Sequence, residues 1–299
     1  MPTVLRLMLA IASLASASCG RMEQSARARP GDGAIIFQST ILTMDARRPS
    51  AEAVIVKDGL IVDVGAIDDL VQAYPGAAFD EKYLRKILLP SFVDVRLTAN
   101  TLGVIEIPCN GALLAEDILS AGGGGAAVRV ITNGTAALSS AIEAVRRVRD
   151  QAASGRITVE ARGPVLAQAA QLLAALEVSL ILSAEPLSEN CAVTEADASD
   201  VAPMVSGRIA IAPALGDEAM LTAASRYVHA GGLIRLSPQE ALEAITIDAA
   251  FAIGAEAERG SIAPGKHAAF SILDRNPMVT PAEAWSGIKV DMVDLALAE

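Results

Sequence analysis

The sequence has little of two things from which active sites are commonly built, histidine and aromatic rings. Its 299 residues include two histidines, and aromatic residues make up 3% of the chain. With hydrophobic residues at 52%, the core must be made of Ala, Val, Ile and Leu. That length suffices for one large domain or two smaller ones. Positive charge is also in deficit: 24 Lys and Arg stand against 35 Asp and Glu, a net charge of −11. An acidic chain with no basic run has no electrostatic footprint for nucleic acid and is repelled by anionic lipid. The three cysteines form no Cys-x-x-Cys, so neither a zinc knuckle nor a thioredoxin-like centre is indicated. No serine sits in a nucleophile elbow, and two histidines leave little room for a triad. Gly122 to Gly125 are followed by no Gly-Lys-Ser/Thr, so they read as a flexible connection rather than a phosphate loop.

What is present begins with an unusual N-terminus. Arg6 precedes an apolar run, Leu7 to Ala17, of signal-peptide length and too short to span a bilayer as a helix. Two export readings compete. Ala15-Ser16-Ala17 fits ordinary signal cleavage. Leu14-Ala15-Ser16-Ala17-Ser18-Cys19-Gly20 resembles a bacterial lipoprotein signal, with Cys19 as the lipidation site, although Ser16 stands where an aliphatic residue is preferred. The lipoprotein reading is favoured. Residues 1–19 are then the signal and 20–32 a tether, and the protein is exported to the periplasm or outer membrane of a bacterium. The membrane is reached only through that lipid. In such a compartment Cys109 and Cys191 could pair, but two separate buried thiols are the expected state.

From Ala34 the pattern is β. Ile35-Ile36-Phe37 opens it, and Ala53–Lys57 and Leu60–Val64 flank Asp58-Gly59, a strong hairpin signal. Asp68 to Tyr74 reads as a helical turn, and Ile87 to Pro90 as a strand. The middle alternates. Strand-like runs at Val104–Ile107, Val128–Ile131, Ile157–Glu160, Leu180–Leu182 and Ile209–Ala212 are interleaved with helix-like stretches. The clearest puts Leu138, Ala141, Ile142, Val145 and Val148 on one face, and Gln168 to Leu176 and Leu221 to Ala230 are further ones. Such alternation predicts a parallel α/β arrangement. Ser237 and Pro238 then open a helix, with Glu240 closing a near-capping arrangement, whose face continues through Ala241, Ile245 and Ala249, and β pattern returns from Ser261 to Leu273.

Residues at both ends are recognisable. Thr43-Met44-Asp45, Lys57-Asp58-Gly59, Val64-Gly65 and Leu89-Pro90-Ser91-Phe92-Val93-Asp94 resemble the opening of amidohydrolase-superfamily enzymes. Leu236 to Leu242, Thr246, Ala249-Ala250, Gly260 to Lys266 and Leu273 to Pro277 resemble the closing segment of that superfamily. Gly-Arg-Ile-Thr-Val-Glu before Ala161 is similar to the YtcJ-like branch. The resemblance implies an α/β fold, a distorted TIM-type (β/α) barrel with a small β-sandwich formed by both chain ends. On that plan residues 33–90 and 255–299 form the sandwich, and residues 91–254 a shortened barrel. An eight-stranded barrel takes about 200 residues or more, so an incomplete one is expected.

The same resemblance implies a divalent metal such as zinc, held by a His-x-His pair, further histidines, an Asp and often a carboxylated Lys. Here the strand-1 positions after Asp94 are Arg96 and Thr98, and Glu160 is followed by Ala161 where another ligand is expected. Arg is permanently cationic and has no lone pair to donate to a metal. Between Ser91 and Gly254 there is one histidine, His229, and no lysine. His229 and His267 both read as structural residues. Asp94, Glu106, Glu160 and Asp217 could form an all-oxygen site, but Arg96 beside them suggests an Arg–carboxylate pair instead. The expectation is a degenerate site with no catalytic or metal residue and no cofactor. Asp94, Arg96, Thr98, Glu160 and Ala161 mark where the site stood. The protein is then an inactive binding or interaction module for an unknown small molecule or protein. The alternative is a hydrolase of non-peptide carbon–nitrogen bonds with a remodelled site.

Overall fold

A computed structural model of the chain describes residues 30–96, 103–123, 127–151, 154–184, 191, 207–213, 219–228 and 234–295. Cys19, the expected lipidation site, lies outside the described residues, as do Thr98, Asp217 and His229.

The first β segment runs through β1 (Ile35–Leu42), β2 (Ser50–Lys57) and β3 (Leu60–Gly65). The β2–β3 connection is the expected tight hairpin. Asp58 and Gly59 have φ of 48° and 72°, the two left-handed positions that a hairpin turn following strand twist requires. A helix α1 (Ile67–Ala73) follows, then β4 (Ala78–Asp80) and β5 (Ile87–Pro90). Strand β4 was not anticipated: its Ala-Phe-Asp is too short to show alternation, and only its pairing with β1 identifies it.

The middle alternates as expected. It comprises β6 (Gly103–Ile107), α2 (Ala115–Ala121), β7 (Val128–Asn133), α3 (Thr135–Asp150), β8 (Ile157–Arg162), α4 (Ala167–Ala175), β9 (Ser179–Ser183), β10 (Ile209–Ala212) and α5 (Met220–Val228). The five strands pair in parallel in the order β10-β9-β8-β7-β6. The expected first barrel strand, around Phe92 to Val95, is not among them; its backbone is held instead by Ile245 and by a side chain of β7.

The chain ends with α6 (Pro238–Ala244), α7 (Ile247–Ala252), β11 (Ala269–Leu273) and β12 (Val290–Asp294). The start of α6 matches the sequence reading in full. Ser237 Oγ accepts from the Glu240 amide, and Glu240 returns a bond to the Ser237 amide. The single helix expected from Ser237 through Ala249 is wrong, because it breaks at Ile245. The Ile245 carbonyl accepts the Val93 amide at 2.9 Å, leaving the helical ladder, and Thr246 adopts φ −130°, ψ −94°.

Both ends of the chain meet in one sheet of seven strands, ordered β12-β11-β5-β1-β2-β3 with β4 beside β1. Its flanks come together where Leu60 bridges to His267 and the Ala268 amide donates to the Gly59 carbonyl at 2.9 Å. Phe37, Val54, Ile61, Leu88, Phe270 and Ile272 fill the space this curl encloses. His267 is thus a framework residue of the curl, as read from the sequence.

The five-stranded sheet is covered differently on its two faces. Val130, Val159, Leu180 and Ile211 pack with α3, α4 and α5. On the other face, Ile181, Ala210 and Ala212 pack against Val93, Val95 and the alanines of α7. Cys109, after β6, is joined to Cys191, beyond β9, by a disulfide with Cα atoms 5.3 Å apart. The expectation of two separate thiols is therefore corrected.

Candidate functional site

Strand periodicity decides which residues share the face of the sheet covered by Val95 and α7. In parallel register Glu106, Ile131 and Glu160 are neighbours, and so are Asn133 and Arg162. Alternation places Arg129 on the same side. This strip carries all the charged side chains of these three strands.

Arg129 and Glu160 are 6% and 2% exposed, which makes theirs a fully buried ion pair. Arg129 Nε donates to Glu160 Oε2 at 2.9 Å, and Nη2 contacts the same oxygen. The remaining terminal nitrogen, Nη1, donates to the Val95 carbonyl at 2.7 Å. On the other side, Arg162 Nε lies 3.4 Å from Glu160 Oε1, and Arg162 Nη1 donates to Glu106 Oε1 at 2.9 Å. Asn133 Nδ2 closes the chain, donating to Glu106 Oε1 at 3.2 Å and to the Ile107 carbonyl at 3.0 Å. A continuous ladder of guanidinium and carboxylate thus runs from the Val95 backbone across β7 and β8 to β6.

Asp94 and Arg96 sit at the near end. Arg96 Nε donates to Asp94 Oδ1 at 2.9 Å, Nη2 donates to Oδ2 at 2.6 Å, and the Arg96 amide adds a bond at 2.9 Å. The guanidinium of Arg96 holds the Asp94 carboxyl below its usual range, with a smaller contribution from the charge of Arg129. The expected Arg–carboxylate pair is therefore present.

Of the positions singled out in the sequence, Asp94, Arg96 and Glu160 come together around Arg129. Ala161 does not. Adjacent strand residues point to opposite faces, and Ala161 is buried among the residues that pack with α3 and α4. It therefore lies on the face of the sheet opposite to Glu160. Arg129, Arg162 and Asn133 were missed. A single charge inside each of two apolar strand runs, Val-Arg-Val and Val-Glu-Ala, was the available signal.

The donor chemistry of these residues does not fit a resident divalent ion. Every carboxylate of the ladder already accepts from a guanidinium, which would have to be displaced while its own positive charge stayed beside the ion. Among the described residues no three His, Cys, Asp or Glu side chains are grouped so as to hold a metal.

Comparison with known proteins gives one family and a set of folds. The family model described as "Amidohydrolase family" matches residues 62–294. An amidohydrolase from Thermotoga maritima is similar in fold, with TM-score 0.53 and 12% identity over 86% of this chain and 97% of that one. A zinc-bound adenosine deaminase from Xanthomonas campestris aligns with TM-score 0.47 and 13% identity, covering 86% of this chain and 89% of that chain. Helicobacter pylori aminofutalosine deaminase aligns with TM-score 0.46 and 13% identity, over 85% and 95% of the two chains. No curated protein matches the sequence.

Proposed function

From a chain that belongs to the amidohydrolase family, we infer a member that has exchanged metal-assisted hydrolysis for a binding or interaction role. One observation carries this reading: the carboxylates of Asp94, Glu160 and Glu106 each accept from an arginine, Asp94 through both oxygens. A guanidinium fork satisfies a carboxylate through paired, charge-assisted bonds, leaving its oxygens poor ligands for an ion. The family's metal would activate a water molecule, and the arginines that hold these carboxylates cannot take over that role, because arginine does not exchange protons near neutral pH. The five-stranded sheet is, in this reading, what remains of the family's barrel, residues 91–254. Residues 33–90 and 255–299 are its composite β-sandwich domain.

Metal analysis of the purified full-length chain tests the reading. Zinc, manganese and iron should be well below one equivalent after dialysis, and amide and amine hydrolase substrates should turn over no faster than in buffer. Stoichiometric metal that disappears together with activity in Asp94→Ala or Glu160→Ala would sink it.

We also propose that the protein works in the cell envelope, lipidated at Cys19. The Cys109–Cys191 disulfide supports this, since such bonds persist in oxidising compartments. On expression in a Gram-negative host, the wild type should fractionate with membranes and incorporate labelled palmitate. Cys19→Ala should lose the label. An unlabelled, unprocessed wild type in the cytoplasm would refute the proposal.

A further inference from the structure

At the opposite end of the five-stranded sheet, by the N-terminal ends of β8, β9 and β10, lies a cleft of about 1010 Å³. Arg149, Arg156, Arg208, Asp248 and Phe251 line it. Three guanidiniums converge here, but they are not equivalent. Arg149 donates to the Leu176 and Gly155 carbonyls, and Arg156 to the Phe251 carbonyl and the Glu256 carboxylate. These two are engaged in holding the walls.

Arg208 is held in another way. Its guanidinium lies 3.9 Å from the centroid of the Phe251 ring, whose own centroid is 4.1 Å from Arg156. Among the described residues its ion pair with Asp248 is 3.8 Å long, outside hydrogen-bond range, and its side chain is 53% exposed. The ring contact thus restrains the guanidinium at the wall of the cleft while more than half of the side chain stays exposed. A planar, always-charged fork restrained in advance is the arrangement that binds oxyanions well.

We propose that this cleft is an anion-binding site in which Arg208 receives a carboxylate, sulfate or phosphate group, and Asp248 takes up a proton as the anion enters. The site is separate from the arginine ladder, so it stands or falls independently of whether hydrolysis has been lost.

The neighbours of Asp248 explain the coupling to a proton. Burial is the largest influence on its carboxyl and pushes its pKa up to about 7, against the attraction of Arg208. Glu243 and Glu240 of α6 push the same way, whereas the Ile209 amide, donating at 3.3 Å, favours the charged form. Arg156 and Arg149 face the cleft from the β8 and β9 side, Glu256 follows α7, and Glu177 lies on the rim. Below pH 7 most Asp248 carboxyls are neutral, so Arg208 loses its paired carboxylate, while Glu256, which also attracts it, stays engaged by Arg156. Above pH 7 the carboxylate is charged, attracts Arg208 and repels an incoming oxyanion. The sign is therefore tighter binding at lower pH. One pH unit above the pKa about a tenth of the molecules keep the competent form, so affinity should fall about tenfold between pH 6 and pH 8.

Inorganic sulfate is the suitable probe, because its charge is constant across that range. Isothermal titration on the full chain at fixed ionic strength should show one site, with Kd rising about tenfold from pH 6 to pH 8. Arg208→Gln should remove binding, and Asp248→Asn should bind at pH 8 as the wild type does at pH 6. Should Asp248→Asn fold poorly, titration of the wild type in two buffers of different ionisation enthalpy reads the same coupling. Uptake of about half a proton per sulfate at pH 7 is expected. No binding at pH 6, undiminished binding by a folded Arg208→Gln, or zero proton uptake would each overturn the proposal.

Discussion

Glu160→Ala should cost about 3–5 kcal/mol of folding stability, a large share of the 5–15 kcal/mol that a domain typically has. The reason lies in what is left behind. Arg129 would keep its bond to the Val95 carbonyl but lose the carboxylate that neutralises it, in a site where it is 6% exposed. Withdrawing a charge from water is costly, and only a paired, well-bonded partner offsets that cost. The converse follows from the same account. Replacing both partners by apolar residues of similar volume, Arg129→Met with Glu160→Leu, should recover most of the loss, because neither desolvation nor attraction then remains. Urea unfolding of the three proteins at pH 7, with EDTA and with added zinc, measures this. A clamp predicts the same loss in both conditions; a metal ligand predicts a loss that depends on zinc. A loss in Glu160→Ala below about 1 kcal/mol, the level of an exposed pair, would remove the ladder from the account of this protein.

The sequence shows the strands of the ladder but not the ladder itself. Val128–Ile131 and Ile157–Glu160 are β-branched runs with a helix between them, and local pattern finds such elements. Arg129 and Glu160, however, stand 31 positions apart. They meet because β7 and β8 pair in one register, which local pattern does not specify. The separation of Ala161 from Glu160 is a matter of the same pairing: strand neighbours face opposite ways, which alignment by position to a family motif does not show. The break between α6 and α7 was hidden for a different reason. No proline or glycine interrupts Ile245-Thr246, and the helix ends because Val93, far away in sequence, takes the Ile245 carbonyl. Features written in neighbouring residues were legible, such as the Asp58-Gly59 turn, the Ser237–Glu240 capping box and the Asp94–Arg96 pair. Those made by long-range pairing were not.

The disulfide belongs to this second group, and removing it is expected to have an effect of similar size. Cys109 and Cys191 are separated by 82 positions and lie on loops after β6 and β9, strands that are not neighbours in the sheet. Between them in sequence lie α2, β7, α3, β8, α4 and β9, so the bond closes a loop around most of the parallel sheet. Chain-entropy loss in the unfolded state grows with the logarithm of loop length and comes to about 4.5 kcal/mol for a loop of this size. Cys109→Ser should therefore lower the guanidinium midpoint of the oxidised protein markedly. The wild type treated with dithiothreitol should fall to nearly the same midpoint, and the variant should not respond to the reductant. Cys191→Ser should match Cys109→Ser, because the two replacements remove the same cross-link from the same unfolded ensemble. An oxidised wild type that unfolds at the same denaturant concentration as both variants would show that the bond contributes nothing to stability.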